Sequence, residues 1–358
     1  MRIYNFSAGP AMLPQEVLEK AQKHLLDYQG CGMSVMEMSH RSKSYEAINA
    51  EAETLIRELM KIPEGYEVIF VQGGATMQFE AIPLNLSKFG KGDYVVTGNF
   101  SERAYKEAVK FGDYKIAASS EDRNHTYIPA LKAADFRKDI DFVHICYNNT
   151  IFGTKFDKTP NVGSAPLVAD MSSCILSEDY DVSKYGVIYA GAQKNIGPSG
   201  VTIVIVKKDL LGNESKSCPT MLKWATQIKE KSLYNTPPTF STYVCMLVFR
   251  WLKAMGGIKE INKLNTKKAK LLYDFIDNSS FYSNKVDKQF RSIMNVPFVT
   301  PNADLDDKFV KEAAAVGLTT LKGHRLVSGM RASIYNAMPY EGVAALVDFM
   351  KKFEKDNK

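Results

Sequence analysis

The chain has 358 residues, which predicts two or three domains at about 150 residues each. Hydrophobic residues make up 45% and charged residues 24%, and no apolar run approaches the roughly 18 to 20 residues that span a bilayer. These values indicate a globular protein and exclude a helical membrane protein. The net charge of +6 comes from basic residues spread along the chain, so a small anionic substrate explains it at least as well as nucleic acid does.

The five cysteines are widely spaced and include no C-x-x-C pair. This pattern argues against a disulfide framework and a structural zinc site, and we expect no metal. The first residues lack the apolar segment of a secretory signal. We therefore expect a protein of the reducing cytoplasm. The cysteines are Cys31, Cys146, Cys174, Cys218 and Cys245.

In chain order, the first predicted element is an amphipathic helix over 44–60, with the sequence SYEAINAEAETLIRELM. Short apolar runs then alternate with helical patterns, which follow VQGG and TGNF. Buried strands that alternate with helices predict an α/β fold with a largely parallel sheet covered on both faces. The predicted strands are EVIFVQ (67–72), DYVVTG (93–98), DFVHICY (141–147), APLVAD (165–170), GVIYAG (186–191) and VTIVIV (201–206).

The part of the chain that follows predicts a long connecting helix over 256–276 and then a smaller α+β domain. We expect that domain to contain strands, a helix near 305–316 and a closing helix over 340–355. Its two predicted strands lie within IMNVPFV (293–299) and RASIYN (331–336).

Lys194 is the residue that first indicates chemistry, because it stands among small residues between two strands that are predicted to be buried. Ligands of such sheets bind at the carboxyl ends of the strands. In an apolar pocket the pKa of a lysine falls, and its neutral amine can form a Schiff base with an aldehyde. On spacing alone, an exposed turn lysine fits equally well.

Asp170 ends another predicted strand, and hydroxyl residues follow it. A carboxylate at one strand end and a lysine at the next are what pyridoxal phosphate requires, since the acid keeps the pyridine nitrogen protonated. By itself, Asp170 is more often a helix cap or a turn residue. Gly73-Gly74 before a helix could receive the phosphate, although this signal is weak. The turn lacks both G-x-G-x-x-G and a Walker lysine, which disfavours a dinucleotide or P-loop site.

Several long motifs together resemble the phosphoserine aminotransferase family, a class V group of pyridoxal-phosphate enzymes with fold type I. The resemblance covers nearly the whole chain. The motifs are NFSAGPAMLP (5–14), SHRS (39–42), QGGATMQFEAIPLNL (72–86), GAQKNIGPSGV (191–201), NTPPTF (235–240) and LKGHRLVSGMRASIYNAMP (321–339).

The resemblance implies a large cofactor-binding domain over 16–256 with a mostly parallel seven-stranded sheet between helices. It implies a small α+β domain made of 1–15 and 257–358. It further implies a cytoplasmic homodimer with shared active sites. The activity implied is reversible transamination of 3-phosphohydroxypyruvate with L-glutamate, which gives O-phospho-L-serine and 2-oxoglutarate in serine biosynthesis. We expect no nucleic-acid or membrane partner.

The family pattern also implies roles for individual residues. Lys194 would be the Schiff-base lysine and the catalytic residue, and Asp170 would pair with the pyridine nitrogen. Thr150 would lie near the ring oxygen, and Phe100 would stack on the ring. The phosphate would be bound by Ala75, Thr76 and Gln193, and by Asn235 and Thr236 of the other subunit. The substrate-binding residues would be His40, Arg41, His324, Arg325 and Arg331.

Four positions depart from the usual family pattern. Phe100 stands where a tryptophan is usual, so the stacking area is smaller. Ala75-Thr76 replaces the Gly-Arg of many bacterial members, and Asn149 replaces the glutamate common before Thr150.

Two other kinds of function remain open at this stage. One is a different class V enzyme, such as an alanine–glyoxylate aminotransferase or a cysteine desulfurase. The desulfurase needs a reactive cysteine on a mobile loop, and none of the five lies in a recognisable one. The other is a basic nucleic-acid-binding protein, which leaves the lysine, aspartate and arginine set unexplained.

Overall fold

The computed structural model of the chain describes residues 2–358. It begins with β1 (Tyr4–Asn5), α1 (Gln15–Lys23) and α2 (Lys43–Met60). The central part contains β2 (Tyr66–Val71), α3 (Gly74–Asn85), β3 (Lys91–Val96), α4 (Asn99–Ala108), β4 (Asp113–Ser119), β5 (Phe142–Cys146), β6 (Leu167–Asp170), β7 (Val187–Gly191) and β8 (Thr202–Lys207). The remainder contains α5 (Trp224–Lys229), α6 (Thr239–Ala254), α7 (Gly257–Asn278), β9 (Asn295–Phe298), α8 (Ala303–Ala315), β10 (Leu318–Thr319), β11 (Met330–Ser333) and α9 (Tyr340–Asn357).

Seven strands form one sheet in the order β2-β8-β7-β6-β5-β3-β4. The neighbours from β7 to β4 are parallel, whereas β8 is antiparallel to both of its neighbours. The inner strands are buried along almost their whole length. Burial on both faces explains their continuous apolar sequences. The predicted α/β fold class is confirmed.

Local sequence explains the bounds of α2, which was predicted over 44–60. Ser42 precedes the helix, and its side chain accepts a hydrogen bond from the backbone N–H of Tyr45. The apolar residues lie on one buried face, as the 3.6-residue period predicts. The helix ends at Met60, and the next residue, Lys61, has a left-handed backbone conformation. The helix prediction is therefore confirmed.

The carboxyl ends of the parallel strands bring distant parts of the chain together. Asp170 is the last residue of β6, and Lys194 follows β7 by three residues. Thr150 lies just beyond β5, and Gly98 follows β3. Because parallel strands end at the same edge of a sheet, these loops converge there.

The first and last parts of the chain share a second, smaller core. Strand β1 pairs in parallel with β10, and β9 pairs antiparallel with β11. The buried cluster around these strands includes Phe6 and apolar residues of α7, α8 and α9. The division into 16–256 and 1–15 with 257–358 stays a prediction. Within residues 2–358, every helix is too short or too polar to cross a membrane.

Candidate active site

A cavity of about 310 Å³ lies at the carboxyl edge of the sheet, where the loops after β2, β3, β5, β6 and β7 meet β11. Many of the residues predicted for the site line it. They are Ala75, Thr76, Phe100, Thr150, Asp170, Gln193, Lys194, His324 and Arg331. Residues predicted from separate motifs are therefore brought to one place.

Lys194 is half-buried, and its side chain reaches into this cavity. The Nζ atom donates a hydrogen bond to Thr150 Oγ1 over 2.8 Å and lies 5.4 Å from the centre of the Phe100 ring. Loss of hydration lowers the pKa of Lys194, although the nearby Asp170 carboxylate acts in the opposite direction. The amine is therefore more easily deprotonated than that of an ordinary surface lysine.

Close contacts explain why the residues around Lys194 are small. A Cβ atom on Gly197 would lie only 2.6 Å from Cys245 Sγ on α6, so this turn packs directly against the helix. A Cβ atom on Gly191 would lie 2.8 Å from Gln193 Oε1. The side chain of Asn195 bridges the turn to two other loops, since it donates to Ile175 O and accepts from the backbone N–H of Asn336.

Asp170 is buried at the end of β6 and lines the same cavity as Lys194. Its Oδ1 atom accepts a hydrogen bond from the backbone N–H of Ser172 over 2.9 Å. Burial raises the pKa of Asp170, whereas the Ser172 hydrogen bonds and Lys194 lower it. A buried carboxylate of this kind needs a cationic or hydrogen-donating partner in the cavity.

The turn from β2 to α3 leaves the first turn of a helix facing the cavity. Gly73 and Gly74 have φ values of 88° and 67°, a left-handed conformation that glycine adopts without strain. A Cβ atom on Gly73 would also lie 2.4 Å from Met77 Sδ. No side chain caps this helix, so its first N–H groups near Ala75 and Thr76 are available to an anion.

Two basic side chains enter the cavity from the C-terminal part of the chain. Arg331 is half-buried on β11, and its Nη1 atom donates to Thr150 O over 3.3 Å. Its Nε atom is buried without a hydrogen-bond partner in residues 2–358, and burial lowers the pKa of the side chain. His324 is also half-buried, and burial together with the neighbouring cations Arg331 and Arg325 lowers its pKa. Both side chains are poised for an anionic ligand.

Five of the predicted site residues do not line this cavity in a single chain. Thr236 and Arg325 are exposed, and Asn235 is half-buried. Arg41 is exposed and lines a separate cavity beside α2. His40 is buried, and its Nε2 atom has no hydrogen-bond partner within 2–358.

Several cavity residues were not predicted individually. Ser172 and Ser173 line it, and only the hydroxyl residues noted after Asp170 could have indicated them. Asn148 lines it as well, with no sequence signal of its own. Asn149, the residue that departs from the family pattern, is buried and donates through Nδ2 to Thr97 Oγ1 and Thr154 Oγ1. It therefore fixes the loop that carries Thr150.

Comparisons with known proteins agree with this architecture. The Aminotransferase class-V family matches residues 3–346. Phosphoserine aminotransferase of Bacillus cereus is 56% identical over all of this chain and 99% of its own length. The structure of the phosphoserine aminotransferase from Bacillus circulans subsp. alkalophilus is 48% identical, with a TM-score of 0.96 over 100% of this chain and 99% of that one.

A third similar protein is the PLP-bound phosphoserine aminotransferase of Trichomonas vaginalis, where PLP denotes pyridoxal phosphate. It is 38% identical, with a TM-score of 0.93 over 98% of this chain and 100% of that one. The fold and the cavity define an α/β enzyme with a lysine and a carboxylate at its centre. The chain belongs to the class-V aminotransferase family. The predicted family and its fold are confirmed, and the roles of the individual site residues stay predictions.

Proposed function

We propose that this chain is a pyridoxal-phosphate-dependent phosphoserine aminotransferase. It would interconvert L-glutamate and 3-phosphohydroxypyruvate with 2-oxoglutarate and O-phospho-L-serine, a step of serine biosynthesis. Phosphoserine aminotransferases 54–56% identical over the whole chain bear out the predicted enzyme class and activity. The class-V family match and the PLP-bound and Schiff-base structures of similar enzymes bear out the predicted cofactor. The observation that carries the proposal is the cavity that holds Lys194, Asp170 and Arg331 together.

The residues present fit pyridoxal phosphate. The cavity offers one amine of lowered pKa, one buried carboxylate and the face of Phe100. The uncapped start of α3 offers N–H groups to the phosphate, together with the positive end of the helix dipole. Lys194 would bind the aldehyde of the cofactor, Asp170 would pair with its ring nitrogen, and Phe100 would stack on the face of its ring. When bound, the cofactor supplies a conjugated ring that takes up the electron pair left at the substrate Cα atom.

Lys194 would act as the base of the reaction. Its lowered pKa increases the fraction of neutral amine, and a neutral amine can accept the proton of the substrate Cα atom. Thr150 Oγ1 lies 2.8 Å from Nζ and would orient the amine while it holds or releases that proton. Asp170 would keep a negative charge against the ring nitrogen. We expect ping-pong kinetics, because the amino group would stay on the enzyme after the first keto acid leaves and before the second one binds.

The basic residues would bind the anionic groups of both substrates. Glutamate has two carboxylates, and phosphoserine has a carboxylate and a phosphate. The unpaired Nε atom and the Nη groups of Arg331 form a fork that suits a carboxylate. His324 lies in the same cavity, and Arg325 is its exposed neighbour. Several cationic donors can accept a second anionic group of two different shapes.

A symmetric homodimer is part of the proposal. His40, Arg41, Asn235 and Thr236 lie outside the cavity of their own chain, so we propose that each completes the site of a second copy. The stiff Pro237-Pro238 segment next to Thr236 is suited to reach outward. Asn235 and Thr236 would then donate to the cofactor phosphate, and His40 and Arg41 would bind substrate.

We also propose that the enzyme acts in the cytoplasm and has no nucleic-acid partner. Five free cysteines support a reducing compartment. The basic residues inside the cavity serve small anions in this proposal, so no nucleic acid is needed to explain them.

The test is an assay of the purified protein with L-glutamate and a panel of phosphorylated and unphosphorylated keto acids. We expect 3-phosphohydroxypyruvate to give the highest kcat/KM, and the protein to be yellow and bleached by borohydride. Lys194→Ala should abolish turnover while the circular dichroism spectrum stays that of the wild type, and Lys184→Ala is the matched surface control. A preference for glyoxylate or another unphosphorylated keto acid would contradict the proposal.

A further inference from the structure

Two buried polar side chains lie behind Asp170 and are not used by the mechanism above. Tyr189 stands on β7 directly opposite Asp170 on β6, and His144 stands on β5, the strand on the other side of β6. Both residues are almost completely buried. His144 Nε2 lies 2.8 Å from the Tyr189 hydroxyl, so the two share a hydrogen bond. Polar groups this deep in a sheet cost stability unless they are hydrogen-bonded.

His144 is uncharged in this environment. Burial lowers its pKa to about 3, and its ring stacks on Tyr94 with 4.9 Å between the ring centres. Its Nδ1 atom is buried and has no hydrogen-bond partner in residues 2–358. A neutral imidazole carries one proton, which must be on either Nδ1 or Nε2.

The direction of the hydrogen bond follows from the position of Asp170. If Nε2 carries the proton, it donates to the Tyr189 oxygen, and the hydroxyl proton is free to point at the Asp170 carboxylate. If Nδ1 carries it, a buried N–H has no acceptor, and Tyr189 must donate to His144 and turn a lone pair toward the carboxylate. The first arrangement turns a donor toward the buried Asp170 carboxylate, which stands at the same register as Tyr189 on the neighbouring strand.

We propose that His144 and Tyr189 are positioning residues that form a hydrogen-bond chain, His144 Nε2–H to Tyr189 and Tyr189 O–H to Asp170, which keeps the carboxylate ionised. The inference rests on the proposed function, because the hydrogen bonds matter only if the cofactor binds beside Asp170. An ionised Asp170 would leave the shared proton on the cofactor ring nitrogen. Without these two hydrogen bonds, that proton would shift toward the carboxylate, and the ring would withdraw electrons less well.

The main test compares Tyr189→Phe with wild type in the full-length enzyme loaded with pyridoxal phosphate labelled with ¹⁵N in the ring. We expect the ring ¹⁵N signal of the variant to move toward that of neutral pyridine. We expect kcat to fall about 10-fold or more, as the loss of one hydrogen bond to a charged group implies. The KM for glutamate should stay near the wild-type value, because Arg331 is unchanged.

Tyr114→Phe is the matched control. Tyr114 belongs to the same hydrophobic cluster on β4, at the far edge of the sheet, and its hydroxyl is also buried but has no hydrogen-bond partner in residues 2–358. This variant should leave the ring ¹⁵N signal unchanged. A Tyr189→Phe signal that matches wild type and Tyr114→Phe would overturn the proposal.

A second measurement observes the proton in the wild type itself, and a variant serves only to assign the signals. In wild-type enzyme labelled with ¹⁵N-histidine, His144 should show a protonated Nε2 and an unprotonated Nδ1, and the loss of these signals in His144→Phe assigns them. A proton on Nδ1 would overturn the proposal. Suppose that the wild type binds pyridoxal phosphate and transaminates. An unchanged ring signal in Tyr189→Phe, or a proton on His144 Nδ1, would then refute the proposed hydrogen bonds and leave the proposed function standing. A wild type without bound cofactor or activity refutes the proposed function as well.

Discussion

At the scale of single residues, the cavity contains several groups whose pKa values are shifted by the surrounding protein. Burial lowers the pKa of Lys194 and Arg331 and raises that of Asp170. Each shift reflects a charged form that has lost hydration, so an opposite charge on a ligand is screened less by water than it would be at the surface. Lys194 and Asp170 could be predicted from the sequence, because each stands at a strand end among small residues. The unpaired Nε atom of Arg331 could not, since it depends on the contacts of β11.

Arg331 provides the first prediction. Arg331→Ala should raise the KM for glutamate about 10- to 100-fold, because a paired charge is lost and hydrogen bonds to charged groups contribute about 1.5–3 kcal/mol. The yellow colour should remain, since the residues proposed to hold the cofactor are unchanged. Steady-state kinetics and the visible spectrum measure the two effects. Arg331→Lys should recover only part of the affinity, because a lysine lacks the planar fork.

Lys322→Ala is the control for this prediction. Lys322 is exposed and pairs with Asp307 at the surface, so the KM should stay near the wild-type value. Loss of the yellow colour in Arg331→Ala with an unchanged KM would place Arg331 at the cofactor instead of the substrate.

At the scale of elements, sequence periodicity predicted the six buried strands and four of the helices to within about three residues at each end. It missed β4, whose sequence DYKIAAS alternates irregularly because this edge strand is only partly buried. It also gave no sign that β8 is antiparallel, because VTIVIV is equally apolar in either direction. The apolar sequence of a strand indicates that the strand is buried, but not whether its neighbours run parallel or antiparallel to it.

Helix α7 contains a further feature that sequence could not predict. Lys268 is fully buried, and its Nζ atom donates to the backbone oxygens of Ile334, Tyr335 and Met338 at 2.8–2.9 Å. In the sequence it looked like one more polar residue of an amphipathic helix. The structure makes it the residue that anchors the segment after β11.

Lys268 provides the second prediction. Burial lowers its pKa to about 7 from the 10.5 of an exposed lysine. Between about pH 7 and pH 10.5, Lys268 is protonated in the unfolded chain but mostly neutral in the folded protein. Raising the pH in this range therefore favours the folded state. The free energy of unfolding of wild type relative to Lys268→Met should therefore rise by up to about 1.4 kcal/mol per pH unit above about pH 7. Below that pH the difference should be constant, because Lys268 is protonated in both states.

Denaturant unfolding at fixed protein concentration, at several pH values between about 6 and 9, measures this difference. Lys270→Met is the control, since Lys270 is exposed and pairs with Asp274 on the same helix. Its difference from wild type should not change with pH in this range. A Lys268→Met difference that falls with pH would mean that the folded state binds the proton more tightly than the unfolded chain.

At the scale of the whole molecule, one chain presents an incomplete set of the predicted site residues. The motif resemblance pointed to Asn235, Thr236, His40 and Arg41, yet the cavity of the single chain contains none of them. Periodicity and strand patterns describe how one chain folds on itself. They carry no information about which surface of a second copy completes a cavity, so this part of the site depended on the family motifs alone.

Shared sites provide the last prediction, which uses two inactive variants. One is Lys194→Ala, and the other carries Asn235→Ala and Thr236→Ala together. In a mixed dimer, one site receives all the defects and the other receives none. Unfolding the variants together and refolding them should restore about a quarter of the wild-type activity, because about half of the dimers are mixed and each has one intact site.

The matched control mixes Lys194→Ala with Asp170→Ala, whose defects lie in the same cavity of one chain. Each site of that mixed dimer keeps one defect, so no activity should return. Differently tagged chains recovered together establish that mixed dimers have formed. If they form and the first mixture stays as inactive as the control, Asn235 and Thr236 do not act across the dimer. If both mixtures recover activity, the defects are not confined to single sites, and the shared-site arrangement is wrong.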